Sequence, residues 1–116
     1  MLPVVSKYNP IAHYRWGSSC DGWVLVDSDA LSVKQETMPP LAAESFHYHK
    51  KAQQFFYILN GTATFEVDNK VYTVRRGEGF HILPGTIHRV INLAAETLEF
   101  ILSSQPSTYN DRYNII

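Results

Sequence analysis

The sequence predicts an all-β domain, an antiparallel barrel or sandwich of short strands. Short runs of apolar, β-branched and aromatic residues recur at roughly 8–12-residue spacing. Residues with turn chemistry stand between them: Pro39-Pro40, Asn60-Gly61, Asp68-Asn69, Gly77-Glu78-Gly79 and Pro84-Gly85. No segment sustains the apolar period of about 3.6 residues that an amphipathic helix needs.

Residues 1–30 scatter Tyr8, Tyr14, Trp16 and Trp23 among Gly, Ser and Asp, and are expected to form an irregular arm or edge strand packed on the barrel, with a first short run at Val24 to Val26. Residues 31–102 form the expected core. Its runs are Leu31 to Met38, Phe46 to His49, Gln54 to Leu59, Thr62 to Val67, Val71 to Arg75, Phe80 to Leu83, His88 to Asn92 and Thr97 to Leu102. Asn60-Gly61 supplies the positive φ of a tight hairpin. Residues 103–116 form a tail that leaves the last run near Pro106 and is expected to cross the outside of the barrel.

The 116 residues suit one domain with a single core. Ten basic residues balance eleven acidic ones, and the only basic runs are Lys50-Lys51 and Arg75-Arg76. Phosphate backbones and anionic membrane surfaces need a concentrated basic face, so neither nucleic acid nor a membrane is expected as a partner. Nor is any apolar run long enough for a membrane span. Cys20 is the single cysteine and has no internal disulfide partner, and Met1 to Lys7 holds too short an apolar run for a signal peptide. A cytoplasmic protein is the expectation.

His47-Tyr48-His49 carries the first chemical signal. Residues two apart on a strand face the same side, so the two imidazoles point together. Gln54 opens the next run and His88 begins a later one, just after Pro84-Gly85. Three imidazoles and one carbonyl oxygen suit one borderline divalent ion, Zn, Ni, Fe or Mn, with coordination positions left open.

Two spacings extend this reading. Leu41-x5-His47-x-His49-x4-Gln54-x6-Gly61 resembles the first sequence motif of the cupins, and Gly77-x5-Leu83-x-Gly85-x2-His88-x3-Asn92 resembles the second. The resemblance, to small single-domain cupins, implies a double-stranded β-helix, or jelly-roll barrel, with a metal held by His47, His49, Gln54 and His88. Three residues depart from the family pattern. Gln54 stands where most metal-binding cupins carry Glu, with Gln53 as a neighbouring alternative; Leu41 replaces a usual Gly, and Leu83 a usual Pro. A neutral amide leaves the charge of the ion uncompensated, which favours an anionic small molecule as its further ligand.

With Gln54 inward, alternation turns Phe56 and Ile58 inward and Phe55 and Tyr57 outward, and His88 carries Val90 inward. The resemblance adds Phe100 and Leu102 to the expected pocket. Lys34 and Glu36 are expected on a solvated face and outside the catalytic set, although an inward Met38 would bring both inside. His81 is a candidate hydrogen-bond partner or general base, with a partly exposed residue of no role as the alternative, and Glu36 is the other residue the sequence offers as the base of an isomerase. Trp16, Trp23, Tyr109 and Tyr113 are expected to pack, and Arg112 is a candidate anion binder, although nothing in its spacing requires that role. The expected function is a metal-dependent enzyme acting on a small polar or anionic molecule, of dioxygenase or sugar/keto isomerase type. A non-catalytic metal-anchored binding protein is the alternative, and exposed Phe55 and Tyr57 would suit a homodimer.

Overall fold

The computed structural model describes residues 4–115, so the first three residues of the expected arm and the last of the expected tail lie outside the described residues. The strands run β1 (Ala12–Trp16), β2 (Cys20–Asp27), β3 (Ser32–Met38), β4 (His47–Tyr48), β5 (Gln53–Asn60), β6 (Thr62–Val67), β7 (Lys70–Arg75), β8 (Gly79–Ile82), β9 (His88–Ile91), β10 (Leu98–Gln105) and β11 (Tyr113–Asn114). There is no helix among the described residues, and hence none long and apolar enough to cross a membrane. Two antiparallel sheets, ordered β1-β2-β3-β10-β5-β8 and β11-β4-β9-β6-β7, form the layers of a jelly roll.

Period-two alternation decides what each strand buries. Along β5, Gln54, Phe56 and Ile58 are buried while Phe55 and Tyr57 are exposed; along β6, Ala63, Phe65 and Val67 face inward. Between the sheets Phe65 stacks on Phe80 with ring centroids 4.8 Å apart, and Phe56 meets the edge of Phe65 at 4.9 Å. Met38, Ile58, Leu98 and Phe100 complete this core at 0% exposure, where each large side chain contributes about 1.5–3 kcal/mol.

The turns behave as their residues require. Asp68 and Asn69 both hold positive φ, 49° and 65°, as a two-residue hairpin demands between β6 and β7. Gly61 sits at φ 80°, and a Cβ there would lie 2.8 Å from the Thr97 carbonyl oxygen. Asn92, fully buried, closes the connection before β10: its side-chain amide donates to the Met38 and Glu96 carbonyls at 2.9 and 2.8 Å.

Both ends of the chain enter the sheets. β1 and β2 form a hairpin that pairs with β3 and extends the larger sheet. In the tail, Tyr113 and Asn114 pair with Tyr48 and His47, so the chain returns to the histidine strand instead of only crossing the outside. Two-residue pairing of this kind has no periodic signature, which is why composition did not announce it.

Leu41 keeps the left-handed turn despite its side chain: φ is 71°, its N–H donates to the Asn92 carbonyl at 2.7 Å, and it is 79% exposed. A branched residue there costs about 1–2 kcal/mol, offset in part by the extra unfolded-state entropy of glycine, about 0.5–1 kcal/mol. Leu41→Gly is therefore expected to raise the melting temperature by about 2–4 °C. A lower melting temperature would mean that the exposed side chain makes a stabilising contact.

Candidate metal centre and cavity

His47, in β4, and His49, two residues on, are 2% and 4% exposed, and His88 in β9 is fully buried. Register places His47 opposite His88. Ring centroids are 4.4 Å apart for His47 and His88, 5.0 Å for His47 and His49, and 5.8 Å for His49 and His88. One ring nitrogen of each lies within 4.8 Å of the others.

Each Nδ1 donates to a main-chain carbonyl: His47 to Ser45 at 2.8 Å, His49 to Asp111 at 2.6 Å, His88 to Thr86 at 2.8 Å. A carbonyl only accepts, so Nδ1 carries the proton and Nε2 presents a bare lone pair. Burial pushes the imidazoles down, His47 to about 3 and His88 to about 4, with His49 lowered in the same way; the carbonyl bonds oppose this. All three are neutral near pH 7, the form that ligates metal.

Gln54 is buried, and its Nε2 donates to Ser104 Oγ of the neighbouring β10 at 3.0 Å. That bond orients the amide and leaves Oε1 as the spare acceptor. Among the described residues, the buried side-chain polar atoms without a partner are His49 Nε2, His88 Nε2 and Gln54 Oε1. Such orphans cost about 1–3 kcal/mol each, and a divalent ion is the group that would satisfy two imidazole nitrogens and an amide oxygen at once. The residues present therefore fit a metal. Gln53 faces the other way: its Nε2 donates to Gln105 and its Oε1 lies 2.8 Å from Nε2 of the exposed His81, on the outer face. His81 takes no part in the interior.

A cavity of about 240 Å³ adjoins His47, His49 and Gln54. Phe56 and Leu102 form its apolar wall, whereas Ile58, Val90 and Phe100 lie in the core and do not line it. Its other walls include Tyr14, Glu36, Glu44, Arg112 and Lys34, the last expected on a solvated face. Glu36 was expected on a solvated face and is 9% exposed. The reason is register: Met38 is fully buried, and a period of two carries Glu36 to the same side. Burial pushes its carboxyl above the ordinary range, although the Tyr14 hydroxyl donates to it. Burial likewise raises Glu44 to about 7, opposed by the Arg112 guanidinium 3.7 Å away.

Asp111 joins the tail to this site. Its carboxylate accepts the backbone N–H groups of Lys50, Lys51 and Ala52 at 2.8, 3.0 and 3.0 Å, while its carbonyl holds His49. No spacing rule in the sequence links positions so far apart.

A family model described as "Cupin domain" matches residues 34–104. The uncharacterized protein MJ1618 of Methanocaldococcus jannaschii is 30% identical over 78 residues, 64% of this chain, and the match spans 62% of that relative's length. The fold resembles a protein described as a predicted oxalate decarboxylase from Thermotoga maritima, with TM-score 0.81, 20% identity, and coverage of 90% of this chain and 99% of that one. It also resembles the polyketide cyclase RemF from Streptomyces resistomycificus, with TM-score 0.78, 17% identity, and coverage of 100% and 87%.

Asp111→Ala removes the two carboxylate oxygens that accept three backbone hydrogen bonds, without touching an imidazole. It is expected to weaken zinc binding about 10-fold or more, in the range seen for groups that support metal ligands, while the far-ultraviolet circular dichroism stays that of a β protein. Unchanged affinity in a competition titration with a chromophoric chelator would mean that the tail does not organise His49.

Proposed function

The chain belongs to the cupin domain family, and from that premise we propose that it is a metal-dependent enzyme acting on a small anionic molecule. The observation that carries this reading is the set of orphaned, convergent atoms, His49 Nε2, His88 Nε2 and Gln54 Oε1, beside a cavity of about 240 Å³. His47, His49, His88 and Gln54 would hold one divalent ion, and the donor set suits Zn, Ni, Fe or Mn. When bound, such an ion supplies Lewis acidity that polarises a carbonyl or carboxyl oxygen.

The chain's own residues select the ligand. All four donors are neutral, so no protein anion among them cancels the charge of the ion. Lys34 and Arg112 add positive charge to the cavity, and Phe56 and Leu102 keep part of its wall dry. Burial disfavours the ionised form of Glu44, which lessens its repulsion of an anion. Of the two reaction types that the sequence suggests, a proton-transferring isomerase is better supported than a dioxygenase, because a buried carboxyl borders the cavity. A homodimer through the outer face of the larger sheet completes the reading, with Phe55 and Tyr57 at 44% and 42% exposure as its centre.

Protein purified without chelator or metal affinity resin is expected to carry close to one divalent ion per chain by elemental analysis. His49→Ala should lose most of that metal and keep its β-type circular dichroism, since a ligand is removed and the apolar core is not. Wild-type protein that neither carries nor takes up metal would overturn the proposal. For the dimer, Phe55→Glu is expected to halve the mass measured by light scattering, and an unchanged mass would exclude that face.

A further inference from the structure

The N-terminal hairpin builds a feature that metal binding does not use. Tyr14 in β1, Gly22 in β2 and Glu36 in β3 stand in one row across the sheet: Tyr14 pairs with Gly22, and Gly22 with Glu36. The Tyr14 ring lies across the space left by the missing side chain. A Cβ on Gly22 would fall 2.0 Å from Tyr14 Cζ and 2.4 Å from its hydroxyl oxygen, contacts no real side chain tolerates. Through that gap the phenol crosses a whole strand and donates to Glu36 Oε2. Glycine inside a strand weakens it, and its use marks a close approach of other groups.

Glu36 borders the same cavity as His47, His49 and Gln54, and among the described residues it makes no ion pair. The Lys34 ammonium stands over the Tyr14 ring, 5.6 Å from its centroid. A sheet that only needed filling here would be served by apolar side chains, without the cost of burying a carboxyl group. A buried carboxyl with one oxygen held by a phenol and the other free is arranged to exchange a proton, and burial makes it a stronger base than an exposed glutamate.

We propose that Glu36 is the proton-transfer residue of this site, positioned by Tyr14 across Gly22, and that its substrates are small anions with a hydrogen on the carbon next to a carbonyl group. This rests on the metal-anchored reading above and names the reaction class for the same cavity. The step is reversible enolisation. The α C–H bond breaks as an O–H bond forms on Glu36 Oε1. The C–H electron pair becomes the carbon–carbon double bond of an enolate, and the carbonyl π pair moves to oxygen. Return of the proton to carbon regenerates the carbonyl and the carboxylate, with no oxidant or reductant. Tyr14 keeps its proton and donates to Oε2 throughout.

Pyruvate and 2-oxoglutarate serve as probes, incubated in deuterium oxide with zinc- or manganese-loaded protein and followed by proton NMR. The wild-type chain is expected to exchange the carbon-bound hydrogens of at least one probe faster than the free ion does. Glu36→Gln should lower that exchange at least 100-fold, within the range for loss of a general base, with metal content unchanged. Glu36→Asp should recover part of it, and Tyr14→Phe and Gly22→Ala should each lower it about 10-fold. In infrared difference spectra, the carboxyl band lost in Glu36→Gln is expected to shift in both Tyr14→Phe and Gly22→Ala, whatever the activity. Exchange by Glu36→Gln at the wild-type rate, or none with either probe by the metal-loaded wild-type chain, would overturn the assignment and leave the metal reading standing. Absence of bound metal in the wild-type chain would overturn the reading beneath it.

Discussion

Three imidazoles that bring one ring nitrogen each within 4.8 Å of the others inside an apolar barrel are tolerable only if each is neutral and each is held in one orientation. Main-chain carbonyls meet both conditions, because a carbonyl accepts a single kind of hydrogen bond and so fixes which ring nitrogen is protonated. Two of these carbonyls, Ser45 and Thr86, come from residues just before the histidines they hold. The third comes from Asp111, 62 positions from His49 in the chain. The histidine geometry therefore depends on the docking of the C-terminal tail. The Asp111 carboxylate secures that docking through the N–H groups of residues 50–52, and the pairing of β11 with β4 reinforces it.

The two sheets divide the chemistry. The histidines come from the smaller sheet and the turn beside it, where main-chain carbonyls orient them and burial keeps them unprotonated. Gln54, Tyr14, Lys34 and Glu36 come from the larger sheet, on strands reaching from the N-terminal hairpin to β5. A small molecule in the cavity would meet neutral nitrogen donors on one side and groups able to hold or release protons on the other. Low polarity strengthens both effects: it keeps the imidazoles unprotonated and raises the proton affinity of the carboxyls. The family match begins at residue 34, so β1 and β2, which bring Tyr14 and Gly22, stand outside it.

Much of the fold was legible in the sequence. Alternation and turn residues located β3 and β5 to β9 to within a few residues, because both are local consequences of backbone sterics and of burying one face of a strand. The H-x-H pair was legible for the same reason, since residues two apart must share a face. Choosing between Gln53 and Gln54 was harder, because adjacent residues face opposite sides and a one-residue shift exchanges them. The hydrogen bond from Gln54 to Ser104 separates them, and it exists only once β10 lies beside β5.

Alone, then, the sequence determined an all-β barrel, the places of most of its core strands along the chain and a set of nitrogen and oxygen donors spaced for one divalent ion. Each of these follows from interactions between residues close in the chain. The tertiary structure decided that Glu36 is buried, that Tyr14 reaches it over Gly22, that Arg112 enters the cavity and that Asp111 holds His49. These depend on strand register and on contacts between distant segments, where a residue's environment is set by what packs against it and not by its neighbours in sequence.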